Sequence, residues 1–431
     1  MPYFDDLRGL LDEALLWADL RHEQGGDVQG IVKVLRENIT RAQKELGKTA
    51  PGTATRQQEP NTLDMIRALR PEGPRRLWKQ FKTAGLNDRL KGAWLGRAIG
   101  CTLGAPVENW PIAEMEQLAK RTDAPFPPED YWRAHPKPDE LRYEKSRMAE
   151  YLKGGMTCVP VDDDVTYTLL GLLILEEYGP DFTTDDVGQA WIKYLPMACT
   201  AEDVALRNLK KGIPASKAGA KDNPFQEWIG ADIRSDPWGY AAPGWPEKAA
   251  EFAWRDAYLS HRHNGIYGAM FFSAAIAAAF AVDTPGDAIA VGLTEIPKYC
   301  RLARDIRWAL DTAPLLKDWR DARAAVDQRF RGMHAVHTNN NACLTIFGLL
   351  LGGMDFTKTV GMTVAMGLDN DCTAATAGSI LGALIGAKNV PAHWWKPFRN
   401  RTRTYMNGRE WFRNSDIVRR FMAVAKQVWT S

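Results

Sequence analysis

No Cys-x-x-Cys pair occurs among the six cysteines of this 431-residue chain; Cys101, Cys158, Cys199, Cys300, Cys343 and Cys372 are scattered along it. That scatter disfavours a zinc site and a disulfide framework, so reduced thiols in a cytoplasm are expected. Nor is there a large charge of either sign. A formal net charge of +2 points away from nucleic acid as a partner. The longest apolar run, Gly268 to Val282, falls short of the roughly 20 residues a membrane-spanning helix needs. The opening MPYFDDLRGLLDEALLWADL is acidic where a signal peptide would be basic, and no membrane association is expected. A convincing series of alternating strands is missing too.

What is present is helical. Residues 1–60 read as a helical extension ending in a linker, LGKTAPGTATRQQEPN, and residues 61–431 as one larger domain. The extension suits docking or oligomerisation, with the oligomeric state left open. From about Asn87 onward, Ala-, Leu- and Gly-rich segments alternate with Pro- and Gly-containing loops, giving an all-α domain. Two segments carry a glycine or alanine every fourth residue: Gly92, Gly96, Gly100 and Gly104, then Ala374, Gly378, Gly382 and Gly386. Glycine costs about 1 kcal/mol against alanine inside a helix, so such ridges imply two closely packed backbones. Trp110, Trp132, Trp238 and Trp245 sit in Pro- or Gly-flanked loops, where they either stack on a ligand or pack beneath the loops.

The chemistry concentrates in carboxylates. VPVDDDVTYTLL places Asp162, Asp163 and Asp164 together at the start of an apolar helix. An N-cap accounts for one aspartate, and three adjacent charges raise one another's pKa unless a cation or hydrogen-bond donors compensate. Asp369 and Asp371, in MGLDNDCTAATAGSILGALIGA, precede the second ridged helix in the same way. Carboxylates at that spacing converge on hard cations with all-oxygen ligands, so Mg²⁺, Mn²⁺ or Ca²⁺ is favoured over zinc, with caps and solvated loop charge as the alternative.

GAWLGRAIGCTLGAPVE, VDDDVTYTLL and GLDNDCTAATAGSILGALIGA, in this order, resemble the signature segments of the ADP-ribosylglycohydrolase family, the dinitrogenase reductase-activating glycohydrolases. HNGIYGAMFFSAAIAAAF looks like that family's Asn-Gly segment and small-residue helix. The resemblance, spanning about Lys91 to Trp394, implies an orthogonal all-α bundle with a metal pair, two ions and usually Mg²⁺, in a central cleft. It assigns Asp162, Asp163, Asp164, Asp369 and Asp371 to metal, with Asp162 in place of a threonine and Cys372 where many members carry a metal-contacting Thr or Ser. Cys101 replaces the aspartate of the Gly-Asp-Ala turn, and Glu108 maps to the family glutamate, the candidate general acid or base.

Asn264, Gly265 and His263 are candidates for substrate contact, with a plain turn as the alternative. The implied function is metal-dependent hydrolysis of a glycosidic bond in a small glycoside or an ADP-ribosylated substrate. The long Pro- and Trp-containing interval between Glu108 and Asp162 is expected to reshape or lid the cleft. A catalytically silent ligand-binding member is the alternative. An all-α isoprenoid synthase fits poorly, because its Asp motif needs an acid where Thr166 stands.

Overall fold

Backbone carbonyls lie against bare glycine α-carbons at the centre of the molecule. The computed structural model describes residues 3–430. The helices that matter here are α1 (Asp5–Glu23), α2 (Gln29–Lys48), α3 (Leu86–Gly104), α4 (Asp163–Tyr178), α5 (Asn264–Ala279), α6 (Thr338–Gly352), α7 (Asn370–Ile385) and α8 (Asn414–Thr430). Gly92 faces Gly382, Gly96 faces Gly378, Gly100 faces Ala374, and Gly104 faces Asp371, so α3 and α7 run antiparallel with their ridges in contact. A Cβ on any of these α3 glycines would overlap backbone atoms of α7. The close approach offsets the helix-propensity cost of glycine, and it fixes the register of the two helices to one residue.

Around this pair the chain is helical almost throughout, as the sequence leads one to expect. Every residue of α5 is buried, which suits a helix apolar on all sides at the middle of a bundle. α6 and α8 also pack against the central pair. Among the described residues, strands occur only as two short antiparallel hairpins: β1 (Leu141–Arg142) with β2 (Ser146–Arg147), and β3 (Arg401–Arg403) with β4 (Trp411–Arg413). No helix among them is long and apolar enough to cross a membrane.

α1 and α2 contribute no buried residue. Ahead of α1 the Tyr3 N–H bonds the Gly332 carbonyl at 3.2 Å, and the linker is fastened to the body at Glu59, Pro60 and Asn61. The Glu59 carboxylate accepts hydrogen bonds from Arg301 and from Asn264 Nδ2 (2.9 Å), Tyr267 Oη donates to the Pro60 carbonyl, and Asn61 Oδ1 accepts the His263 N–H at 2.6 Å.

Of the loop tryptophans, Trp132 and Trp238 are buried: Trp132 donates to the Leu103 carbonyl at 2.9 Å and Trp238 stacks on Phe182. Trp245 packs on Trp429 under the Arg76 guanidinium. Trp110 lies beside His135 at the rim of an open cleft of about 290 Å³ that Glu108 also lines.

Candidate metal centre and its cleft

The α3–α7 register brings the N-terminus of α7, with Asp371, against the C-terminus of α3, immediately ahead of the turn Ala105–Val107 that leads to Glu108. α4 starts at the same point. Asp162 is its N-cap, its Oδ1 accepting the Asp164 N–H at 3.1 Å, so one member of the triplet does serve as a cap. The outcome is a single cluster of carboxylates: ligand atoms of Glu108, Asp369 and Asp371 lie within 4.8 Å of one another, as do those of Asp164, Asp371 and Cys372, and of Cys101, Asp162 and Asp164.

Two arginines hold this cluster. Arg97 of α3 is fully buried; its guanidinium donates to Asp164 Oδ1 at 2.8 Å and Thr168 Oγ1 at 2.7 Å and forms an ion pair with Asp236 Oδ2 at 2.7 Å. Arg142, on β1, reaches in from the hairpin. Its Nε donates to Asp162 Oδ2 (2.8 Å), Nη1 to Glu108 Oε2 (2.7 Å) and Nη2 to Asp371 Oδ2 (2.6 Å). The neighbouring Tyr143 donates from its hydroxyl to Asp163 Oδ1 at 2.6 Å and packs on Tyr405. The interval between Glu108 and Asp162 thus contributes a guanidinium and a phenol to the cleft.

Negative charge still exceeds positive. Burial, reinforced by neighbouring carboxylates, raises Asp163 and Asp371 well above the usual range. Burial likewise lifts Asp164 to about 8 even though Arg97 opposes it, and lifts Asp369 to about 6. Asp369 Oδ1, Asp371 Oδ1 and Thr373 Oγ1 are buried with no hydrogen-bond partner. Orphaned buried oxygens in an over-charged, histidine-free cluster are what a hard divalent cation satisfies, and the donor set fits such an ion.

The two cysteines that depart from the expected pattern lie inside the cluster. Burial pushes both thiols upward, which keeps them protonated. Cys372 Sγ donates to Asp164 Oδ2 at 3.1 Å, making it a hydrogen-bond donor to a carboxylate.

Asn264, Gly265 and His263 do not join the cluster. Asn264 donates to Glu59 and Glu227 and accepts the Leu302 N–H at 2.9 Å; the His263 ring bonds the Glu59 carbonyl; a Cβ on Gly265 would overlap the Gln226 carbonyl. Their polar groups are engaged in fastening the linker to the body. Asn341 of α6 acts closer to the centre, its Oδ1 accepting the Asp369 N–H at 3.3 Å.

The cleft beside the carboxylates has a volume of about 120 Å³, and Asp163, Asp369, Arg142, Tyr143, Glu202 and Trp228 are among the residues that line it. That is well below the roughly 300–1,000 Å³ of a pocket for a drug-sized ligand. Trp228, stacked on His334 at 4.1 Å, offers an aromatic wall that its sequence context did not single out. Arg142 and Tyr143 were equally unmarked; the one signal for them was the unmet need for positive charge and donors around the aspartate triplet.

A sequence profile described as ADP-ribosylglycohydrolase matches residues 82–429. A solved structure titled "ADP-ribosylglycohydrolase-related protein complex" is similar with a TM-score of 0.52 and 18% identity, over 80% of this chain and 99% of that one. No curated protein matches the chain.

Proposed function

This chain belongs to the ADP-ribosylglycohydrolase family, and from that premise we propose that it is a metal-dependent hydrolase cleaving the N- or O-glycosidic bond of a ribosyl or other glycosyl substrate. The observation that carries the reading is the convergence of Glu108, Asp162–Asp164 and Asp369/Asp371 on one cleft, with orphaned oxygens inside it. Asp164, Asp369 and Asp371 would hold a hard divalent cation, Mg²⁺ foremost and Mn²⁺ or Ca²⁺ as substitutes. When bound, such an ion supplies Lewis acidity and a template for vicinal sugar hydroxyls.

The small cleft suits one sugar ring, with the remainder of the substrate lying outside. The Glu108 side chain is open to solvent, 30% exposed, whereas those of Asp162 and Asp371 are 1% exposed. Its two oxygens are steered by Arg142 and by Asn109 Nδ2 at 3.2 Å. Positioned in this way, Glu108 is suited to take a proton from an attacking water as oxocarbenium character develops at the anomeric carbon. Trp228 offers a face for the sugar or the leaving group. The six free cysteines fit a reducing, cytoplasmic setting.

The test is sugar release with Mg²⁺ present, measured against ADP-ribosyl-arginine, ADP-ribosyl-serine, free nucleosides and simple glycosides. Turnover is expected with at least one of these, and its loss in Glu108→Gln. The grip of Arg142 on Glu108 is the observation that favours a second reading, a ligand-binding member without turnover. Binding of a ribosyl ligand without any sugar release would support that reading and sink the first.

A further inference from the structure

Arg142 stands where a cation would stand. Its guanidinium takes one oxygen from each of Glu108, Asp162 and Asp371, so three carboxylates from three separate segments share a single positive charge. Asp371 is divided between two environments: Oδ2 bonds Arg142, whereas Oδ1 is buried and has no hydrogen-bond partner, like Asp369 Oδ1. One carboxylate thus gives one oxygen to the guanidinium and keeps the other without a hydrogen-bond partner.

The hairpin that delivers Arg142 is braced. β1 pairs with β2, and the Met148 N–H bonds the Glu140 carbonyl at 2.8 Å. Ser146 Oγ accepts the Val161 N–H, which ties the hairpin to the residue preceding Asp162. Arg403 donates to the Lys145 carbonyl at 3.0 Å, and Lys145 pairs with Glu410, which ties it to the β3–β4 hairpin. At the tip, Tyr143 and Glu144 adopt positive φ values of 51° and 55°, a conformation unfavourable for such residues that persists only where surrounding contacts fix it. These ties belong to a fixed part of the site.

We propose that Arg142 is the permanent replacement for one of the two ions expected from the family resemblance, leaving a centre that binds a single divalent cation at Asp369, Asp371 and Asp164. The proposal rests on the metal-dependent reading above and alters its stoichiometry. A guanidinium neutralises and spaces the carboxylates through directed hydrogen bonds, but it offers no open coordination position to a sugar hydroxyl. Substrate chelation then falls to the one remaining ion, with Arg142 setting the position of Glu108.

The test counts Mn²⁺ bound to the full chain by equilibrium dialysis with elemental analysis, and reads electron paramagnetic resonance for spin coupling between neighbouring ions. Wild type is expected to hold one Mn²⁺ per chain with an uncoupled spectrum. Arg142→Ala is expected to hold two with exchange-coupled lines, and Arg142→Lys, which keeps the charge, to hold one. Two Mn²⁺ in wild type, or one in a folded Arg142→Ala protein, would overturn the proposal while leaving metal-dependent hydrolysis standing. No Mn²⁺ in any of the three proteins would overturn both. Should Arg142→Ala not fold, the counts for wild type and Arg142→Lys still decide the matter.

Discussion

Gly104 lies flush against the backbone of Asp371, so that a side chain at position 104 would overlap the Asp371 Cα and N atoms. A structural contact between two helix ends is thereby a placement device for a carboxylate of the centre. Gly104→Ala is expected to cost about 1–3 kcal/mol, as overpacking does, and to weaken Mn²⁺ binding as well. Gly96→Ala, in the same ridge but far along it, should cost similar stability with Mn²⁺ affinity retained. Urea denaturation and dialysis on both variants check the pair; equal metal affinity in the two would refute the placement role.

Arg97 is wholly buried between Asp164 and Asp236. Removing one partner of a buried ion pair leaves uncompensated charge and costs about 3–5 kcal/mol. Arg97→Met is expected to lower stability by that order in chemical denaturation. A loss below about 1 kcal/mol would contradict the arrangement described here.

Glu59 supplies the pH dependence. Burial works to raise its pKa, but the hydrogen bonds and charge of Arg301, aided by Asn264, outweigh it and hold the carboxyl below its ordinary value of 4.5. A depressed folded pKa means stability that is fully present above about pH 4.5 and lost as pH falls through the lower, folded value. Glu59→Gln should therefore flatten the acid limb of the stability curve below pH 4.5. An unchanged acid limb in thermal melts between pH 3 and 6 would remove Glu59 from that role.

Truncation separates the two parts of the N-terminal extension. α1 and α2 bury nothing, whereas Glu59, Pro60 and Asn61 are bonded into the body. Deleting residues 1–50 is expected to leave the melting temperature nearly unchanged. Deleting residues 1–61 should cost at least about 1.5–3 kcal/mol, the worth of a hydrogen bond to a charged group. Similar melting temperatures for the two truncated chains would refute the anchoring role.

Cys372→Ala removes the thiol that donates to Asp164 Oδ2, and Cys372→Thr offers a hydroxyl at the same position. Isothermal titration with Mn²⁺ is expected to show weaker binding for the alanine variant than for the threonine variant. The reverse order would show that the thiol has no part in holding Asp164.

Periodicity and composition made the helical class legible, and the fourfold glycine spacing marked the central pair because few arrangements tolerate so many glycines in a helix. The acidic stretches were equally visible, since crowded aspartates at two helix starts violate ordinary electrostatic economy. Arg142 was not legible: an arginine in RYEKSR looks like surface charge until a hairpin of two-residue strands turns it inward, and that turn depends on contacts with residues 401–413 far along the chain. Asn264 and His263 looked available for ligand because sequence does not show that Glu59 and Asn61 fold back onto them.

The antiparallel ridges also set a timetable. α3 emerges early in synthesis and α7 late, with most of the domain between them, so this long-range contact cannot close until nearly the whole domain has been made. The carboxylates from the two ends meet only when that closure occurs. Bound divalent metal should thus appear late in refolding, together with native packing, and a nascent chain that has not yet released residues 370–385 carries half a centre and no high-affinity ion.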